Sequence, residues 1–364
     1  MARLGAAKRY VSSPPSSFPA AVRSVPLPVL RGFSRESVMI SPTALPLRSS
    51  GNHCREFAAS ADFGLVELRA STPLVAQLLP NGALFALRHG ETLLNQFLPG
   101  PADNSLFRLL LRWTQADGRI AGWASLVGPG LGFASHGAAA ATWTTTPTRG
   151  ITCETHLELS SSTVPAWRWR IRVKNDSPAA FCFDLLHAQD LGLADEAAVR
   201  NNEAYTSQYI DLLPLHDPQL GWTILARQNQ AMAHGRRPWI GFACAPGATA
   251  FCTDGTQFFG LDHRLIGVPA AVRIRSLPST RLQGELAVAG LQSGMITVAP
   301  GETAKVEFVA RFLEDHPAAS SPNDLELLRE LLPPRPADVA WKAGPLDATP
   351  SSARRAAVFQ SRIA

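Results

Sequence analysis

From Phe63 to His316 the chain runs as short apolar segments separated by turn residues, and within many of them apolar and polar positions alternate with a period of two. The clearest is Ala166–Lys174. Trp167, Trp169, Ile171 and Val173 fall on one side, Arg168, Arg170, Arg172 and Lys174 on the other. That pattern predicts a strand in a sheet with one buried and one wet face. Ile151–Leu159 alternates in the same way. After the turn Asn175-Asp176-Ser177-Pro178 the apolar run Phe181–Ala188 follows. Asn81-Gly82 is a hairpin dipeptide between Leu74–Leu79 and Ala83–Arg88. Further strands are expected at 63–69, 93–98, 106–113, 142–146, 201–213, 220–227, 239–245, 248–251, 272–274, 286–291, 295–298 and 304–313. Residues 117–140 hold too much glycine for a helix and read as a long loop or irregular strand.

One helix is predicted, Pro322–Leu332, capped by Ser320 or Ser321, with Leu325, Leu328 and Leu332 on one stripe and Pro333-Pro334 ending it. No repeat of propeller or solenoid length is present. The expected fold is all-β: a large two-sheet antiparallel sandwich over 59–316. An extended tail precedes it over 1–58, and 317–364 hold the short linker helix and a Pro/Ala-rich end.

Charge changes the picture only at the ends. The 364 residues carry a net +5, but residues 1–60 have eight Lys/Arg against two Glu, and 333–364 have five against two Asp. The middle is therefore about −4 (5 − 6 − 3) and offers no basic stripe for nucleic acid. The early prolines interrupt any signal-type apolar segment, and the first 58 residues read as disordered, the alternative being that translation begins at Met39 and the residues before it are not made. No apolar run is long enough for a membrane helix. Cys54, Cys153, Cys182, Cys244 and Cys252 form no CxxC pair and no zinc spacing, which suggests free thiols in a reducing, cytoplasmic setting.

Two polar, aromatic stretches interrupt the strand-like sequence. The first is Asn201–Asp211, NNEAYTSQYID. Read as a strand, it gathers Glu203, Tyr205, Ser207, Tyr209 and Asp211 on one face and Gln208 on the other. Aromatic rings for the C–H face of a pyranose, with carboxylates and amides for its hydroxyl rim, are the residue types a sugar site needs. The second is Cys252–Arg264, CTDGTQFFGLDHR. Here Asp254 and Thr256 make a turn, Gln257 and Phe258 follow, and Asp262 and Arg264 lie two apart on one strand face as a charge pair. For both stretches the alternative is that the polar groups satisfy one another or face a neighbouring domain. Glu154 and His156 are too few for a metal site, GPGLG at 128–132 lacks the rest of a phosphate loop, and no GxSxG is present. Asp184 and His187 are either an acid/base pair or satisfied core groups.

Asn202–Asp211, Thr253–Arg264 and the opening NGALFALRHGETLLNQFLPG resemble the N-terminal domain of glycoside hydrolase family 94 phosphorylases, on the branch of the 1,2-β-oligoglucan and cellobiose phosphorylases. The resemblance runs from about Phe63 to Leu332. It implies a galactose-mutarotase-like supersandwich, followed in the family by an (α/α)6 barrel that carries a general-acid Asp and the phosphate site. Inorganic phosphate is the co-substrate there, no other cofactor is used, and the reaction is a single inverting displacement. The 32 residues after Leu332 are too few for such a barrel, so none of its catalytic residues has a matching position.

The resemblance thus leads to the expectation of a truncated or split phosphorylase, a carbohydrate-binding sandwich that is inactive alone. Its partners would be a β-linked gluco-oligosaccharide or a separate catalytic barrel, docked through Tyr205, Tyr209, Phe258 and Phe259. A self-sufficient mutarotase-like enzyme is the remaining reading; it would need His187 or His263 facing Glu203 across a groove. Sugar linkage and oligomeric state stay open.

Overall fold

The stretch around Trp167 is a strand, Ala166–Asn175, whose buried and half-exposed positions alternate as its sequence demands. The computed structural model describes residues 54–57, 64–99 and 105–332 of the chain. Their arginine face is neutralised across the sheet. Arg170 meets Glu158 at 2.6 Å and Glu307 at 3.1 Å, Arg172 meets Glu154 at 2.9 Å, and Arg168 lies 3.6 Å from Glu307.

The described residues form two sheets. The larger has fifteen strands. Its central ribbon runs Ile151–Leu159, Ala166–Asn175, Thr303–Leu313, Trp239–Ala245, Gly221–Gln228, Ala248–Asp254, Ala287–Ser293, Phe181–Asp190 and Arg108–Thr114. Pairing is antiparallel throughout, apart from a single parallel register, Gly221 with Ala248. The smaller sheet has five strands between Val66 and Asp195. The all-β expectation therefore holds.

The large sheet curls, so its distant strands share one core. Phe107 stacks on Trp169 with centroids 4.6 Å apart, and His187 stacks on Phe308 at 5.0 Å, although several strands lie between each pair in the hydrogen-bonded order. Trp143, Trp167, Phe183, Phe242 and Phe312 fill the same interior at 2% exposure or less. Burial of this apolar surface is the main term holding the two halves together.

The structure corrects several local expectations. The glycine-rich stretch 117–140 contains two real strands, Ile120–Ser125 and Phe133–His136. Gly122 is there because the Trp113 ring lies where a Cβ would be. Residues 272–274 are not a strand; Ala270–Val272 is a 3-10 turn. The helix expected over 322–332 is shorter: a 3-10 turn, Pro322–Asp324, then α-helix Leu325–Arg329. Of the two candidate caps, Ser321 is used, its backbone N–H donating to Asp324 at 2.7 Å, while Ser320 accepts from the Trp239 indole. Of the tail expected over 1–58, Cys54–Phe57 is a strand paired with Phe133–His136; the rest of it, and everything after Leu332, lies outside the described residues.

Residues 316–332 are strapped onto the outside of the large sheet. Arg227 donates to the carbonyls of His316 (2.7 Å) and Pro317 (2.8 Å), and His316 stacks on Trp239 at 5.6 Å and 18°. Leu328 and Leu331 pack with Leu220, Leu225, Trp239 and Val309.

Candidate functional site

The first polar stretch is not a strand. It forms two short helices, Glu196–Asn201 and Glu203–Gln208, before the strand Ile210–Asp217 begins. Asn202 explains the break: its side chain accepts the backbone N–H of Tyr205 at 3.0 Å and so caps the second helix. Thr206 turns its hydroxyl back to the carbonyls of Asn202 and Glu203. Helical spacing replaces the expected strand face. Tyr205 and Tyr209 are now one turn apart, centroids 4.9 Å apart and edge to face, with their phenol oxygens separated by 3.1 Å. Both are exposed, at 44% and 38%, as are Glu203 and Gln208. Ser207 points inward instead, accepting the Ala287 N–H at 2.7 Å.

The second stretch is also helical. Gly255–Phe259 is an α-helix with a capping box: Asp254 accepts the N–H and hydroxyl of Thr256, and Gln257 Oε1 accepts the N–H of Thr253 (2.9 Å) and Asp254 (3.2 Å). Phe258 and Phe259 are buried, so they do not line a docking face as expected. Asp262 and Arg264 are not a pair on a strand. Asp262 starts a four-residue turn of helix, His263–Ile266, and forms a two-pronged ion pair with Arg273 at 2.7 and 2.9 Å. That guanidinium holds the Asp262 carboxyl below the usual carboxylate range. Arg264 is exposed.

Both stretches meet through a third that their sequence did not announce, residues 280–287. Arg281 pairs with Asp211 at 2.6 Å. Gln283 donates to the carbonyls of Gln208 (2.9 Å) and Ile210 (3.2 Å). From the other side Gln257 donates to the Thr280 carbonyl at 2.8 Å, and the Thr253 hydroxyl exchanges hydrogen bonds with Leu282 at 2.7 Å. Gly284 lets this segment pass the Asp254 carboxylate, which occupies the space a Cβ would need. Most of the candidate polar groups therefore build a hydrogen-bonded surface. Tyr205, Tyr209, Glu203 and Gln208 present themselves to solvent on it.

The other candidates resolve into structure. Asp184 faces away from His187. It receives two hydrogen bonds from the buried Arg112, one at 2.9 Å, and one from Gln292 at 2.7 Å; Arg112 also donates to the carbonyls of Ala271, Ile274 and Arg275. This network pins the 270–277 segment to the sheet. His187 is enclosed by Phe107, Phe242 and Phe308, and burial pushes its imidazole down to about 3. Glu203 is on the surface, so the His187–Glu203 arrangement required of a mutarotase-like enzyme does not form. Among the described residues no hydrogen bond or ion pair joins Glu203 to His263 either. Glu154 is paired with Arg172 and His156 with Thr142, and no group of three or more His, Cys, Asp or Glu among the described residues is placed to hold a metal. No helix among them is long and apolar enough to cross a membrane.

Residues 77–309, which contain this surface and nearly all of the sandwich, match the family described as the SOGP N-terminal domain. The chain belongs to that family. A 1,2-β-oligoglucan phosphorylase of Listeria innocua serovar 6a is 32% identical over 249 residues, covering 68% of this chain and 21% of that protein; the chain thus spans about a fifth of the length of its relative. Among solved structures, a galactose mutarotase-like protein from Lactobacillus casei overlays on 69% of this chain and all of its own, with a TM-score of 0.37 and 9% identity. One from Clostridium acetobutylicum overlays on 72% of this chain and 99% of its own, with a TM-score of 0.36 and 9% identity. The SOGP N-terminal domain here is a β-sandwich whose surface helices come from the Asn202 and Asp254 caps.

Proposed function

We propose that this SOGP N-terminal domain is the sugar-facing, non-catalytic part of a β-glucan phosphorylase of glycoside hydrolase family 94 type, working with a catalytic (α/α)6 barrel in the cytoplasm. The observation that carries this reading is what its carboxylates do. Asp211, Asp254 and Asp262 are each committed to a structural partner, respectively Arg281, the Thr256 cap and Arg273. Phosphorolysis needs one protonated acid beside the leaving sugar oxygen, and these groups do not supply it. Asp190 does hold a proton more tightly than usual, with burial raising it to about 6, but it is fully buried. Inorganic phosphate would be consumed at the barrel.

What the surface offers instead is the Tyr205/Tyr209 pair with the exposed Glu203 and Gln208 beside it. Two amphipathic rings with hydroxyl tips suit a pyranose, which has an apolar C–H face and a polar rim. The test is calorimetric titration of the purified chain with β-1,2- and β-1,4-linked gluco-oligosaccharides, alongside an assay for sugar phosphate release. Saturable binding lost in Tyr205→Ala and Tyr209→Ala, with no phosphorolysis by the chain alone, is expected. Release of sugar phosphate by the chain alone would overturn the reading; so would an absence of binding together with no effect on a barrel supplied in trans.

A further inference from the structure

Beyond the tyrosine pair the surface carries a feature of different chemistry. Leu261 and Leu265 are 93% and 87% exposed, and Ile266 is 44% exposed, all within the six residues between Gly260 and Gly267. Two glycines with left-handed backbone, φ +81° and +69°, turn the chain out and back. The base is fixed from three sides: Phe258 and Phe259 are buried beneath it, Asp262 is clamped by Arg273, and Ala270 stands against Gly260. This is a braced finger with aliphatic side chains at its tip. Its charge is mildly basic: Arg273 and Arg281 are held by Asp262 and Asp211, which leaves the exposed Arg264 on the finger and Arg275 further along the same segment.

Aliphatic tips offer neither a π-face nor hydroxyl partners to a sugar, so the finger is not an extension of the tyrosine surface. Nearly complete exposure of two leucines on a braced element marks an interaction site. We infer that the Leu261–Ile266 finger is a docking knob for a second folded domain, one that offers an apolar socket rimmed by carboxylates, and that this domain is the catalytic part of the phosphorylase; the inference rests on the function proposed above. Two observations select that occupant. The Listeria relative matches this chain over only 21% of its length, so a large further body accompanies the same sandwich there. A symmetric contact between two copies of this chain would bring Arg264 of one copy toward Arg264 of the other, which is unfavourable.

The test uses the full chain and, as probe, the portion of the Listeria phosphorylase outside the match, produced as a separate polypeptide and followed by sedimentation velocity. A fusion in which this chain replaces the matched part of that enzyme provides a second measurement, through its thermal unfolding. The wild-type chain is expected to form a complex that weakens at least about tenfold in Leu261→Asp/Leu265→Asp. Arg264→Glu should weaken it less, and most visibly at low salt. Thermal unfolding of the isolated variants should match wild type, because both leucines are exposed.

Equal binding by the double variant would overturn the knob and leave the proposed function standing. Failure of the wild-type chain to bind, with no stabilisation in the fusion and no sugar bound by the tyrosines, would overturn both. Finger-dependent self-association, or finger-dependent binding to phosphatidylglycerol vesicles without binding to the probe, would assign the knob to another occupant and overturn the inference.

Discussion

The phenol oxygens of Tyr205 and Tyr209 lie 3.1 Å apart, joined across one helical turn on the exposed side of Glu203–Gln208. Tyr209 donates its hydroxyl to Tyr205, a bond that needs the Tyr209 proton and so raises its phenol above the ordinary value. Tyr205→Phe keeps the ring and removes the hydroxyl. Tyr209 should then ionise at lower pH, visible in an ultraviolet pH titration that has only three tyrosines to resolve.

The buried pair of Arg112 and Asp184 should be the most sensitive point of the sandwich. Arg112→Met leaves the Asp184 carboxylate buried with Gln292 alone and frees the carbonyls of Ala271, Ile274 and Arg275. Removing one member of such a pair costs about 3–5 kcal/mol. Replacing both, as Arg112→Met with Asp184→Leu, should cost less than the single change. Urea unfolding of the three proteins checks the order.

Asp190 and His187 should tilt the pH dependence of stability in opposite directions. Asp190 accepts the N–H groups of Gln96 (2.8 Å) and Phe97 (2.7 Å), yet burial raises its carboxyl to about 6 from an ordinary 3.8. The folded protein thus holds this proton more tightly than the unfolded chain. The resulting stability is present below the ordinary value and lost as pH rises through about 6, a swing of about 3 kcal/mol. Asp190→Asn should remove it, so the variant gains on the parent between pH 4 and 6 in urea unfolding.

For His187 the sign reverses. Its imidazole is held neutral down to about 3, so stability present above the ordinary 6.5 is lost as pH falls toward that value. His187→Phe should soften the acid loss without abolishing it, because His156 is depressed to about 4 in the same direction. Thermal unfolding across that range measures the difference.

The strap at 316–332 should respond to a change in the strand beneath it. A Cβ on Gly241 would stand 2.6 Å from the Trp239 ring and 3.1 Å from Leu328 Cδ2. Gly241→Ala should therefore cost about 1–3 kcal/mol by overpacking. Faster proteolytic cleavage after Leu313, relative to cleavage within the sheets, would locate the damage.

The two-residue period in the sequence was sufficient for the all-β class and for the buried and wet faces of the central strands. At Ala166–Asn175 alternation, burial and cross-strand pairing all follow from which residues are apolar. The same rule failed at 201–208 and 253–266. Polar residues there have no apolar face to set a period, and the conformation is decided by single caps, Asn202 and Asp254, whose partners are local backbone N–H groups.

That both stretches are on one surface was beyond the sequence altogether. They are joined by Arg281, Leu282 and Gln283, residues far along the chain that are brought alongside only by the register of the curled sheet. Exposure, too, belongs to tertiary structure. Phe258 and Leu261 are both apolar and three residues apart, but one is fully buried and the other almost fully exposed, because Gly260 turns the chain out of the core between them.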